Sequence, residues 1–126
     1  RFPLVICSNV DAELFEATQE KLGADFEWIV TADYCRSYKP NPRHLRVVLA
    51  LTGLQPHELL HVAQSRYHDI APARALGIRT AWVNRPSRLK DRGVTPATPA
   101  SASPAEPDLT ATSLEELDRL LRALGL

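Results

Sequence analysis

Apolar positions along the chain fall into two alternating rhythms. The first is the short unbroken run: "LVIC" (4–7), then the runs within "FEWIVTA" (26–32), "LLHVA" (59–63) and "RTAWVN" (79–84). Uninterrupted apolar runs of this length, rather than apolar–polar alternation, predict strands buried on both faces. The second rhythm has helical spacing. In "DAELFEATQEKLG" (11–23), Leu14, Phe15, Thr18 and Leu22 share one face, Asp11 suits the start and Gly23 the stop. In "PNPRHLRVVLALTG" (40–53), Asn41 is placed as the N-cap, Pro42 as the first helical residue and Gly53 as the terminator. "IAPARALG" (70–77) predicts a short helix closed by Gly77. "SLEELDRLLRALG" (113–125) predicts a last helix, with Ser113 and Glu116 as a capping box and Leu114, Leu117, Leu121 and Leu124 as its buried stripe.

Strands alternating with helices through short links predict an α/β fold: a Rossmann-like parallel sheet with helices on both faces and right-handed crossovers. Residues 92–108, "RGVTPATPASASPAEPD", interrupt the pattern with Pro, Ala, Ser and Thr. Such a stretch buries too little apolar surface to offset its ordering entropy, so a mobile loop is expected there. No internal repeat is visible, and residues 1–126 read as one domain.

Composition narrows the partners. The 126 residues are 44% hydrophobic and 24% charged, with fifteen basic residues against fifteen acidic ones. That balance provides no strong field of either sign and argues against nucleic acid or a membrane surface as partner. The apolar runs fall far short of the roughly 20 residues a spanning helix needs. Two cysteines make neither a disulfide framework nor a zinc site; Cys7 reads as a small core residue and Cys35 as a loop residue, consistent with a cytoplasmic setting. The chain opens Arg1-Phe2-Pro3 without an initiator Met and almost directly in an apolar run, as a fragment or processed product would.

Ligands of open parallel sheets bind outside the carboxyl ends of the strands. Ser8 and Asn9 follow the first predicted strand, Lys39 the second, Gln64, Ser65 and Asp69 the third, and Asn84 and Arg85 the fourth. Each has an ordinary explanation taken alone: Ser8, Asn9 and Asp69 as helix caps, Lys39 as a solvated loop lysine, His68 as a packed or solvated histidine, Trp82 as core or partner surface. His44, His57 and His61 show no ligand spacing with His68, and no Gly-rich phosphate loop or Gly-x-Ser-x-Gly elbow is present.

The joint pattern is more specific. A strand ending in Ser-Asn ("SNVD"), then "SYKPNPRHL", then "VAQSRYHDIAPARALGIRTAWVNR" and the closing "PDLTATSLEEL", in that order, resembles the haloacid dehalogenase superfamily, most closely its type II 2-haloacid dehalogenase branch. The resemblance covers nearly the whole chain. It implies a hydrolase that forms a covalent aspartyl ester later cleaved by water. It implies that Ser8 binds the substrate's anionic group, with Asn9 and Ser65 as further substrate-binding residues. Lys39 offsets the two negative charges of nucleophile and substrate, and Asp69 positions water, holds Lys39 or sits near a metal.

The family's nucleophile motif, Asp-x-x-x-Thr closing an apolar strand, does not occur in these residues. The resemblance places it upstream, with a helical cap inserted before the Ser-Asn strand. The expected partners are then that missing N-terminal strand and cap from the same protein, a small anionic substrate, and a second copy in a possible homodimer. Without the missing strand, its two neighbours would leave backbone groups unpaired, so the fragment alone is expected to be inactive and poorly stable. Phosphatases of the superfamily carry Gly-Asp-x-x-x-x-Asp after the third strand and use Mg²⁺. Here Gln64 replaces the first carboxylate and Arg66 adds positive charge, which favours a site with no metal, Asp69 being the ligand if the phosphatase alternative holds. Leu45 stands where type II dehalogenases have Tyr, and Gln64 and Arg66 where they have Ser and Asn. A dehalogenase-type hydrolase of a small 2-substituted carboxylate is the leading reading. A Mg²⁺-dependent phosphatase and a non-catalytic flavodoxin-like binding domain, the latter needing an acidic cluster among Asp11, Asp33 and Asp69, are the alternatives.

Overall fold

The structure is a computed structural model that describes residues 2–85 and 104–126. The chain divides into two compact units, 1–55 and 56–126.

In the first unit, β1 (Val5–Cys7) pairs in parallel with β2 (Trp28–Val30), Ile6 lying opposite Ile29. Helix α1 (Ala12–Leu22) joins them, and α2 (Ala32–Cys35) and α3 (Arg43–Thr52) follow. Both long helices end at a glycine in the left-handed region, Gly23 at φ 59° and Gly53 at φ 71°, where a side chain would be strained. Helix α3 packs on β1, β2 and α2 and buries His44, Leu45 and Val48. Its cap differs from expectation. Pro42 takes the N-cap position, and Asn41, one residue before it, accepts the Arg43 N–H on Oδ1 at 3.0 Å. Helix α1 is capped from outside itself. Asp11 makes no side-chain cap bond, and Asp33 Oδ1 accepts the Ala12 N–H at 3.2 Å. Of the α1 stripe only Phe15 is buried, while Leu14 is 67% exposed. Cys35, expected in a polar loop, is buried at the end of α2.

In the second unit, β3 (Leu60–Ala63), β4 (Arg79–Val83) and β5 (Leu109–Ala111) form a parallel ladder with β4 in the centre. A short 3₁₀ turn, Pro56–Glu58, precedes β3. A π-helical turn, Arg66–Ile70, runs into α4 (Ala71–Ala75). Helix α5 (Leu114–Ala123) closes the chain. Ala81, Val83, Ala111 and Leu117 make the buried cluster, with Leu60, Leu109, Leu120 and Leu121 packed against it. The expectation of burial on both faces holds best for β4, which has a neighbour on each side; β1 and β3, each with one ladder neighbour among the described residues, are only half-buried or, at Val62, exposed.

Residues 92–103 of the Pro- and Ala-rich segment lie outside the described residues. Its last residues are tied down. Arg66 donates from Nε and Nη2 to the Ala105 carbonyl at 3.0 and 2.6 Å and pairs with Glu106 at 3.0 Å. Asp108 Oδ2 accepts the Thr80 N–H at 2.8 Å and its carboxylate pairs with Arg74. These bonds set the register in which β5 joins β4, Ala81 lying opposite Leu109.

Candidate active site

In the first unit the expected residues Asn9 and Lys39 meet, and Ser8 precedes Asn9 at the end of β1. The β1–β2 ladder continues one residue past β1, the Ser8 N–H donating to the Val30 carbonyl at 2.9 Å, and this fixes where the chain turns away from the sheet. Ser8 Oγ accepts a long bond from the Val10 N–H at 3.4 Å. A hydroxyl that accepts in this way keeps its own hydrogen to donate. The Asn9 side-chain amide grips the backbone of Lys39: Oδ1 accepts the Lys39 N–H at 2.7 Å and Nδ2 donates to the Lys39 carbonyl at 3.2 Å. The Lys39 side chain turns back to β1, where Nζ donates to the Cys7 carbonyl at 3.2 Å. The Lys39–Pro40 peptide is cis. A half-buried ammonium thus lies at the end of β1, bonded to the carbonyl of the residue before Ser8, on a loop anchored by Asn9. Thr31 donates its hydroxyl to Asp33, whose carboxyl is held below its ordinary value chiefly by that bond, with backbone N–H donors adding to it.

In the second unit Ser65 and Asp69 share the turn that follows β3. Ser65 caps it: its Oγ accepts the His68 N–H at 3.0 Å and lies 2.9 Å from His68 Nδ1, while its carbonyl accepts the N–H groups of Asp69 and Ile70, both at 3.2 Å. The five-residue span from Ser65 to Ile70, repeated from Arg66 to Ala71, makes the turn π-helical, a form that recurs at functional sites. Ser65, and not Asp69, is therefore the cap. Asp69 is the one buried carboxylate among the described residues, and His61 on β3 lies 2.9 Å from its Oδ1 through Nε2. With Asp69 ionised, its carboxylate only accepts, and the hydrogen of this contact then lies on His61 Nε2. The Trp82 indole N–H donates to the Gln64 carbonyl at 2.8 Å, and the Arg66 guanidinium lies 5.2 Å from the centre of the Trp82 ring. Asn84 and Arg85 are exposed beyond β4.

Sequence reasoning missed His61. Its eight-residue separation from Asp69 spans a strand end and an irregular turn, and no helix or strand period joins such positions.

A family model described as haloacid dehalogenase-like hydrolase matches residues 1–83. The chain belongs to the haloacid dehalogenase-like hydrolase family. Among relatives of this family, a phosphoglycolate phosphatase from Pseudomonas aeruginosa is 39% identical over 61 residues, 48% of this chain and 22% of its own length. A haloacetate dehalogenase from Moraxella is 29% identical over 84 residues, 65% of this chain and 37% of its own length. The crystal structure of an L-2-haloacid dehalogenase superposes with a TM-score of 0.79 at 28% identity, covering 97% of this chain and 50% of that one. The α/β, Rossmann-like expectation agrees with this likeness. The chain spans half the length of that dehalogenase, and its match spans about a fifth of the phosphatase.

Family phosphatases bring Mg²⁺ into question. Mg²⁺ takes oxygen ligands in near-ideal octahedral geometry. In the turn after β3, Gln64 supplies a neutral amide and directs its backbone carbonyl to Trp82, and Asp69 Oδ1 faces the His61 ring. Among the described residues no group of three or more His, Cys, Asp or Glu side chains gathers to hold a metal. Asp69 is thus the carboxylate that this turn offers to a cation, with the neutral Gln64 amide beside it in sequence. Asp33, one member of the acidic cluster that a flavodoxin-like binding reading requires, is turned to Thr31 and α1. No helix among the described residues is long and apolar enough to cross a membrane.

Proposed function

We propose that the protein is a dehalogenase-type hydrolase of a small 2-substituted carboxylate. The observation that carries this is the Ser8–Asn9–Lys39 arrangement: an ammonium and a hydroxyl donor beside the end of β1, on a loop locked by a side-chain amide. Such a pair is suited to a small anion, the hydroxyl donating a directed bond and the ammonium offsetting charge in a half-buried setting. An attacking carboxylate supplied from outside these residues displaces halide from the α-carbon and forms an ester. Water then attacks the ester carbonyl, releasing the 2-hydroxy acid and regenerating the carboxylate. Ser8 and Lys39 serve the first step. Asn9 serves it indirectly, by holding the Lys39 backbone. Asp69 serves the second step by orienting the water. Ser65 supports Asp69 through the turn it caps, its hydroxyl already engaged with His68.

The full-length protein, assayed for halide release from 2-halocarboxylates and for phosphate release from small phosphate monoesters, tests this reading. Halide release unaffected by chelator is expected. Phosphate release abolished by chelator would replace it with the second reading, a phosphatase, which the 39% identity to a phosphoglycolate phosphatase favours.

A further inference from the structure

We infer that His61 is a positioning residue for Asp69, a role that rests on the proposed hydrolysis of an ester intermediate. Buried carboxylates are costly unless they are paired and hydrogen-bonded. The Asp69 side chain is 8% exposed and meets the His61 ring, 11% exposed, at 2.9 Å. The two ends of this contact differ in rigidity. His61 stands on a ladder strand, in register with Thr80 of β4, a fully buried residue. Asp69 stands on a short π-helical turn, whose backbone bonds run to the Ser65 and Arg66 carbonyls and which is not part of the ladder. The imidazole therefore passes the fixed geometry of the sheet to the carboxylate. By holding Oδ1 it sets the rotation of the carboxylate plane, and with it the direction from which a water hydrogen-bonded to Asp69 approaches the ester. A reacting group held by a packed neighbour on a regular element is more precisely aimed than one on a turn alone.

The test is a set of full-length variants measured by steady-state product release. His61→Phe keeps the aromatic ring and removes the donor, and it is expected to lower kcat roughly 10- to 100-fold with KM within about twofold, the scale of a misplaced reacting group. His61→Gln restores an N–H donor and is expected to recover most of that loss. His61→Phe placed on Asp69→Asn is expected to add little, because both act through one carboxylate. Circular dichroism checks folding, and His61→Met carries the same expectation should the Phe variant fail to fold. A folded His61→Phe or His61→Met enzyme with kcat within twofold of wild type overturns the inference and leaves the proposed hydrolysis standing. So does a loss that Gln does not recover and that persists undiminished on the Asp69→Asn background. A wild-type protein that releases neither halide nor phosphate removes the proposed hydrolysis, and this inference with it.

Discussion

The side-chain amide of Asn9 closes a two-bond ring with the backbone of Lys39, thirty residues further along the chain. One bond is short, 2.7 Å from the Lys39 N–H, and the other 3.2 Å to its carbonyl, so both amide atoms are used in the orientation only asparagine provides. This ties the loop that carries the ammonium to the turn that carries Ser8.

Asn9→Ala is expected to cost about 1–3 kcal/mol in stability, because it strands two partly buried backbone groups. It should also lower kcat/KM by roughly tenfold or more through a displaced Lys39. Asn9→Asp keeps an acceptor for the Lys39 N–H but turns a second oxygen toward the Lys39 carbonyl, so it should not rescue the loss. Urea unfolding and product-release kinetics on the two variants check this. An alanine enzyme of wild-type kcat/KM would mean that the ring is incidental to activity.

Asp108 gives the second unit an acid-sensitive tie. Burial raises its carboxyl pKa, but the Thr80 N–H, the Arg74 guanidinium and the Thr80 hydroxyl together outweigh burial and hold it below the ordinary value. A carboxyl depressed on folding contributes stability above its unfolded pKa and loses it as pH falls through the folded value. Asp108→Ala should therefore unfold at lower urea than wild type at pH 7. The two midpoints should approach one another below about pH 4, where the unfolded carboxyl is already protonated. A gap that stays constant across that range would show that Asp108 acts by packing alone.

Much of the fold was legible because its signals are local. The apolar runs gave β1 to β4, and helix stops at Gly23 and Gly53 follow from one residue's backbone freedom. β5 was not legible. Its three residues, Leu109 to Ala111, are too few to show a period, and what places them is a set of side-chain bonds from Arg66, Arg74 and Thr80, far away in sequence. The α1 stripe misled for the opposite reason. Its spacing is helical, yet spacing does not say what covers a face, and Leu14 and Leu22 are exposed.

The candidate site divides in the same way. Ser8, Asn9, Lys39, Ser65 and Asp69 stand out because they follow apolar runs, where strand ends place polar groups in an open sheet. The partners each chooses did not stand out. Asn9 to Lys39, His61 to Asp69 and Asp33 to the start of α1 are contacts between segments, settled by the loops that join them.

Helix α5 begins with a reciprocal cap shifted by one residue from the simple box. Ser113 Oγ accepts the Glu116 N–H at 3.1 Å, while Glu116 Oε2 accepts from the Thr112 N–H at 2.7 Å and the Thr112 hydroxyl at 2.6 Å. Ser113→Ala should cost about 1 kcal/mol, the usual worth of such a cap. Thr112→Val removes the hydroxyl and leaves the N–H bond, so it should cost less. Thermal unfolding of both variants checks the order, and a reversed order would mean that the Thr112 hydroxyl, more than Ser113, fixes the helix start.

The four leucines expected to form the buried stripe of α5 do not share one environment, and mutation separates them. Leu117 is 4% exposed and packs with Ala81, Val83 and Ala111, whereas Leu114 is 64% exposed and Leu124 60%. Two of its three partners in that cluster are alanines, which have no rotamers with which to fill space. Leu117→Ala should therefore leave much of its volume empty and cost about 2–5 kcal/mol, the range for buried leucines whose surroundings relax only in part. Leu114→Ala removes as many atoms from a position already in water and should change stability by less than about 0.5 kcal/mol, helped by alanine's helix propensity. Urea unfolding of the full-length protein and the two variants makes the comparison. Equal losses at both positions would show that Leu114 is covered in the full-length protein, so that its exposure here belongs to this stretch of chain.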